Sequence, residues 1–186
     1  MTEKEKMIAG QLYRPADKTL VKDRTKARLL LHKINTTSVE DLETRDNAMR
    51  QLVCNAGDNL YIEPPFFCDY GYNIKVGNNF YANFNCCILD VSTVTIGHNV
   101  MLAPHVQIYT ATHPLEHKVR NSGVELAKPI VIGDNVWIGG NSTICPGVTL
   151  GNNVVVGAGS VVTKSFPDDV LIAGNPAKII KTIDNS

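Results

Sequence analysis

The sequence predicts an all-β solenoid, a parallel β-helix of six-residue repeats with an N-terminal helical cap, and three observations predict it. First, an aliphatic residue returns every sixth position at Ile132, Ile138, Ile144, Leu150, Val156 and Val162. A helix of 3.6 residues per turn would scatter these side chains around its axis, and an alternating strand would turn every second residue inward, so neither period fits. Stacked coils do fit: each unit makes one short strand and one turn, three units close a coil, and one aliphatic side chain per unit points to the axis. Second, Val100, Val106, Val136, Ser142, Val148, Val154, Ser160 and Phe166 recur four places after an axial residue and are placed to fill the coil corners. Third, Gly133, Gly139, Gly151 and Gly157 follow axial positions, and Gly-Asn, Gly-His and Gly-Asp pairs supply turn residues that tolerate left-handed backbone angles.

The cap is read as residues 1–57. Thr2 to Leu12 forms a short turn; Leu20, Val21, Ala27, Leu30, Leu31 and Ile34 make an apolar helical stripe; and Ser38 reads as the N-cap of a further helix ending near Gly57. Such helices cover the first coil, whose bare edge would otherwise invite further strand pairing. Residues 58–186 are read as the solenoid. Ile96, Leu102 and Ile108 share the lattice of Ile132, whereas Val76, Ala82, Ile88 and Val94 keep the period two residues out of phase, so a bulge is expected at the Leu89 to Thr95 corner. About five coils fit between Asp58 and Pro167; at a strand spacing of about 4.8 Å they stack to roughly 24 Å. Residues 114–129 break the rhythm as a polar, turn-rich extruded loop, and long loops of this kind are more often functional than decorative. Val170 to Pro176 is expected to turn, and Ala177 to Ile183 to close the chain as a strand or helical turn.

Composition limits the partners. With 18 basic and 18 acidic residues the formal charge is zero, so no footprint for nucleic acid or an anionic membrane is present and any polyanionic ligand is small. No apolar run is long enough to span a bilayer, and Met1 to Lys6 lacks the apolar segment of a signal peptide, which predicts a cytoplasmic protein. Five cysteines without a Cys-x-x-Cys spacing argue against a disulfide framework and a zinc knuckle, and are expected to be buried, reduced packing residues.

His113 ends the last regular unit before the extruded loop, which places its imidazole at a coil corner beside that loop. Two readings stand for it: a histidine capping a turn before proline, and the centre of a site. His98 and His105 fall on solvent-facing lattice positions and His32 on a helix, so no pair is spaced for one ion and no metal is expected.

The segments Asn79–Asn85 (NFYANFN), Thr110–Pro114 (TATHP), Asn135–Gly139 (NVWIG), Pro146–Thr149 (PGVT), Gly157–Lys164 (GAGSVVTK) and Ala173–Ala177 (AGNPA) together resemble the hexapeptide-repeat sugar O-acetyltransferases. Ala9–Tyr13 (AGQLY), Asp17, Leu89–Val91 (LDV) and Arg120–Gly123 (RNSG) look most like the maltose type, with galactoside and nodulation acetyltransferases as near relatives. The resemblance implies left-handed coils, a homotrimer with active sites in the grooves between subunits, and acetyl-CoA lying along each groove. Of this chain's residues it implies His113 as the general base, with Glu125 orienting that ring or contacting the acceptor. It implies a donor to the oxyanion at the Gly140 amide, and a pantetheine groove at Trp137 and Ala158. Thr163, Lys164, Lys178 and Lys181 are implied at the phosphates and adenine end, and lysine binds phosphate as a point charge where relatives carry arginine. Asp17, Asp69, Tyr81, Asn83, Asp90 and Glu125 are implied around the sugar, Asn83 also reaching the cofactor groove from a neighbouring chain. Galactoside-type relatives carry an aspartate where this chain has Val91, which speaks against a galactoside acceptor. The expected activity is acetyl transfer to a sugar hydroxyl, the 6-hydroxyl of maltose or glucose. The alternatives are a galactoside or antibiotic acceptor, and a non-catalytic or zinc-binding trimeric solenoid on the same scaffold.

Overall fold

The computed structural model describes residues 1–185 and forms a three-sided prism of short parallel strands beneath a helical cap. The first face stacks Asn55–Ala56, Ile74–Val76, Val94–Ile96, Ile130–Ile132 and Thr149–Leu150. The second stacks Tyr61–Ile62, Tyr81–Ala82, Met101–Leu102, Trp137–Ile138, Val155–Val156 and Val170–Gly174, and the third Phe67–Cys68, Cys87–Leu89, Gln107–Tyr109, Thr143–Ile144 and Val161–Val162. Strands this short survive because the coil above and the coil below satisfy their backbone groups and each contributes an inward side chain. The axial residues Ile132, Ile138, Ile144, Leu150, Val156 and Val162 are all buried, as are the corner residues Val100, Val106, Val136, Ser142, Val148, Val154, Ser160 and Phe166.

One corner carries a continuous polar ladder. Asn59, Asn79, Asn99, Asn135 and Asn153 all have positive φ, and each donates its Nδ2 to the next Oδ1 at 2.8 to 3.0 Å, the last rung ending on Asp169. Asparagine suits this column because its side chain tolerates the left-handed region and both donates and accepts. Gly77, Gly97 and Gly133 precede it, and a Cβ on Gly77 would lie 2.8 Å from the carbonyl of Gly97, so the coils close only if this column stays bare.

The rungs are 20, 20, 36, 18 and 16 residues apart in sequence. A regular coil needs 18 residues, and the first three coils take up their surplus at the corner between the third and first faces. The bulge expected at Leu89 to Thr95 is there, and an equivalent one at Asp69–Asn73 was not read from the sequence.

The cap comprises α1 (Glu3–Ile8), closed by a Thr2 capping box, α2 (Lys18–Thr36) and α3 (Leu42–Leu52). Ala27, Leu31 and Ile34 of α2 and Ala48, Met49 and Leu52 of α3 join the prism core, while Val21 is exposed. The N-cap of α3 is Asp41 rather than Ser38, since its side chain accepts from Thr44 N–H, and the helix stops at Leu52 because residues 55–56 already pair with the next coil. The extruded loop contains α4 (His117–Arg120), whose Arg120 returns to the carbonyls of Pro114 and Leu115, and a strand at Leu126–Ala127. Val170–Gly174 is a strand and not the turn expected; the chain reverses after it and Ala177–Thr182 pairs antiparallel. All five cysteines are free, but Cys54 is exposed, contrary to the expectation of burial.

Candidate active site

The corner between the third and first faces is held from behind by buried polar groups. Asp90, fully buried, accepts from the backbone N–H of Asp69 at 3.0 Å, Tyr70 at 2.9 Å and Asn73 at 3.3 Å. Asn73 returns a bond to the Asp90 carbonyl, and Thr110 Oγ accepts from Ser92 N–H while donating to the Leu89 carbonyl. Burial pushes the Asp90 carboxyl up to about 7, over the opposing pull of its N–H donors. With no surface open to solvent, Asp90 supports this corner and does not reach the acceptor space the resemblance implied for it.

Above this support the extruded loop leaves and returns through a two-residue antiparallel hairpin, Ala111 opposite Ala127 and Thr112 opposite Leu126. Carrying that register one step outward sets His113 across from Glu125, with both side chains on one side of the small sheet. On the other edge of Glu125 the N-terminal segment adds a bridge: Tyr13 and Glu125 exchange backbone bonds at 3.0 Å each way, and Tyr13 OH donates to Glu125 Oε2 at 2.8 Å. Met7, Tyr13, Leu20, Tyr70, Val91 and Ala127 pack beneath as a second apolar cluster.

These elements enclose a cavity of about 320 Å³ lined by Tyr13, Pro15, Arg24, Arg28, Asp69, Tyr70, Leu89, Val91, Ala111, His113 and Glu125. Arg24 is fixed by Tyr70 OH at 2.7 Å and the Pro15 carbonyl at 2.6 Å. Burial raises the Asp69 carboxyl; the Arg24 guanidinium pulls it back and the Glu125 carboxylate pushes it further up. Tyr13 is held protonated above the usual phenol range, first by burial and then by its bond to Glu125. Two acids, an imidazole and two guanidiniums around a concave space can hold a neutral molecule with several hydroxyls. Tyr13, Arg24, Arg28 and Tyr70 had no role in the sequence reading. Arg24 and Arg28, one helical turn apart, are the signal that a helix face points here.

The remaining candidates lie elsewhere. Asp17 caps α2, accepting from Thr19 and Leu20 N–H, and is absent from the cavity lining. Tyr81 and Trp137 stand in one outward column of the second face, in register with Tyr61, Met101, Val155 and Leu171. Tyr61, Met101 and Trp137 are about half exposed, Tyr61 and Tyr81 stack with their rings nearly parallel, and Lys181 pairs beside Leu171 at the top of the column, with Lys178 nearby beside Ala173. An apolar strip ending in cations fits a pantetheine arm and its phosphates. Asn83, Gly140 and Ala158 share the corner between the second and third faces, where Asn83 accepts from Phe84 N–H and the Gly140 carbonyl accepts from Gly159. Thr163 and Lys164 follow the top strand of the third face, the lysine lying over the Phe166 ring. In a three-sided prism the third–first corner stands opposite the second face, so His113 and Trp137 of one chain point away from each other. Among the described residues no three His, Cys, Asp or Glu side chains converge as ion ligands. Nor, among the described residues, is any helix long and apolar enough to cross a membrane.

Residues 6–57 match the maltose acetyltransferase hexapeptide capping motif, and residues 129–164 a hexapeptide repeat of succinyl-transferase. A putative acetyltransferase of Dictyostelium discoideum is 57% identical over 98% of this chain and 95% of its own length. The crystal structure of a maltose O-acetyltransferase from Clostridium difficile 630 superposes with a TM-score of 0.98 at 51% identity, covering 100% of this chain and 99% of that one. A galactoside acetyltransferase in complex with coenzyme A superposes at 0.96 with 41% identity, covering 100% and 92%.

Proposed function

Because this chain belongs to the maltose and galactoside O-acetyltransferase family of hexapeptide-repeat, acetyl-CoA-dependent enzymes, we propose that it acetylates a sugar hydroxyl, the 6-hydroxyl of maltose or glucose, with His113 as general base. Membership replaces the reading of a non-catalytic scaffold. The observation that carries the proposal is that His113 and Glu125, at the root of the extruded loop, line one cavity together with other polar groups.

A sugar hydroxyl is a weak nucleophile at neutral pH, and an imidazole, with an ordinary pKa near about 6.5, can take its proton as the new C–O bond forms. The acceptor oxygen attacks the thioester carbonyl and gives a tetrahedral oxyanion. Gly140 N–H and Asn83 are the proposed donors to it, a contribution of roughly 3 kcal/mol for one such donor. The C–S bond then breaks; the thiolate of CoA, which resembles a cysteine thiolate with its pKa of about 8.5, departs without a strong acid and takes the proton from His113. Trp137 and Ala158 line the pantetheine path, with Thr163, Lys164, Lys178 and Lys181 at the phosphate and adenine end. Asp69, Glu125 and the neighbouring arginines receive the acceptor; Tyr81, on the second face beside Tyr61, would stack on a pyranose ring only from a neighbouring subunit. Since His113 and the second face point apart, we propose that the complete site forms between two subunits of a homotrimer.

His113→Ala is expected to lower turnover at least about 100-fold while leaving fold and acetyl-CoA affinity near wild type. Steady-state rates for maltose, glucose, galactosides and antibiotic alcohols, with CoA binding by calorimetry, test it. Wild-type turnover of His113→Ala on its best acceptor overturns the base assignment, and a faster galactoside or antibiotic rate overturns the acceptor.

A further inference from the structure

We infer that Tyr13 is a positioning residue for the acceptor site, acting through Glu125, and that the helical cap thereby enters the specificity of the enzyme. The inference rests on the proposed role of Glu125 beside His113. Tyr13 is 1% exposed, so its ring is packing, yet its hydroxyl reaches the cavity wall and donates to Glu125 Oε2 at 2.8 Å. The backbone of the same two residues is paired in both directions, which fixes their separation independently of either side chain. Glu125 therefore sits as the middle member of a three-residue row, Tyr13 on one side and His113 on the other. With Oε2 held by Tyr13, the carboxylate is anchored in one orientation, which leaves Oε1 without a protein donor among the described residues and open to the imidazole N–H or to an acceptor hydroxyl. A carboxylate with two free oxygens could rotate between these partners. One that is held from behind cannot.

The test is a double-mutant cycle of Tyr13→Phe and Glu125→Leu, with acceptor and acetyl-CoA kinetics and thermal melting recorded for all four proteins. Tyr13→Phe removes one oxygen and keeps the buried ring. It is expected to lower kcat/KM for the sugar about tenfold with KM for acetyl-CoA unchanged, and in the Glu125→Leu background to change kcat/KM less than about twofold. In that background it should also raise the melting temperature, because the hydroxyl it removes would be buried without a partner. Multiplying effects of the two substitutions on kcat/KM, or a Tyr13→Phe enzyme with wild-type acceptor kinetics, overturns the inference. If Glu125→Leu alone retains full acceptor kinetics while His113→Ala is inactive, the role of Glu125 fails and the general-base reading stands.

Discussion

Asp90 and Tyr13 show how far a residue's role depends on what surrounds it. In sequence Asp90 is a carboxylate in a motif beside the acceptor; in the fold three backbone N–H groups converge on it and solvent is excluded. Its carboxyl binds a proton more tightly folded, at about 7, than in an open chain with its ordinary value of 3.8. Between about pH 4 and 7 the folded protein keeps a proton that the unfolded chain has lost, so this contribution to stability is full below that window and is lost as pH rises through it. Asp90→Asn should flatten that slope and destabilise the fold by about 1–3 kcal/mol, because an amide nitrogen would confront a backbone donor. Melting temperatures of both proteins from pH 4 to 8 check it; parallel curves would count against the buried carboxyl as their source. His113 and Glu125 stand in or beside the TATHP and RNSG motifs, Asp69 came by resemblance alone, and all three line the cavity. Tyr13, though inside one, was given no role because its partner lies 112 residues away and only folding joins them.

At the level of the element, the coil is legible because each six-residue unit repeats one burial pattern, and an inward aliphatic every sixth residue has no other geometric explanation. What does not repeat was harder to read. The α3 cap at Asp41 competes with an equally plausible serine three residues earlier, and the strand at Val170–Gly174 reads as a turn because glycine, asparagine and proline crowd its end. The asparagine ladder also escaped the reading, since its bonds run between coils. Asn99 illustrates its contribution: it accepts from Asn79 at 2.8 Å, donates to Asn135 at 3.0 Å and holds φ at 55°. Asn99→Ala loses both rungs and keeps the unfavourable backbone angle, whereas Asn99→Gly loses the rungs and relieves the angle. The alanine protein should be about 1 kcal/mol less stable than the glycine protein in urea unfolding. The reverse order would mean that the backbone angle is not the limiting cost.

For the whole molecule, His113 at the third–first corner and Trp137 on the second face point in opposite directions from one prism. A site drawing His113 from one subunit and Asn83 from its neighbour makes a clear demand on mixtures. His113→Ala and Asn83→Ala homotrimers should both be nearly inactive, yet co-refolded mixed trimers should regain about one working site in three, since one interface then joins the two intact residues. Mixing that restores nothing, with trimers verified by light scattering, would show that both residues serve the same subunit's site. The sequence conveyed the prism, whose rules are periodic. It was silent on how prisms meet, because a contact between copies leaves no period in one chain.

The concentration of surplus residues at a single corner has a consequence for how such a protein can change. Residues 69–73, 90–93 and 110–129 lie off the grid of inward side chains, so, outside the buried support of Asp90, Asn73 and Thr110 and the packed Tyr70, Val91 and Ala127, they can change without altering axial packing. The remaining corners have no such freedom, being closed by the ladder, the bare glycine column and the regular six-residue step. Divergence among enzymes built on this plan is thereby channelled to one vertical edge. On the proposed acceptor site, a change of acceptor would be made along that edge while the column that carries the coils stays as it is.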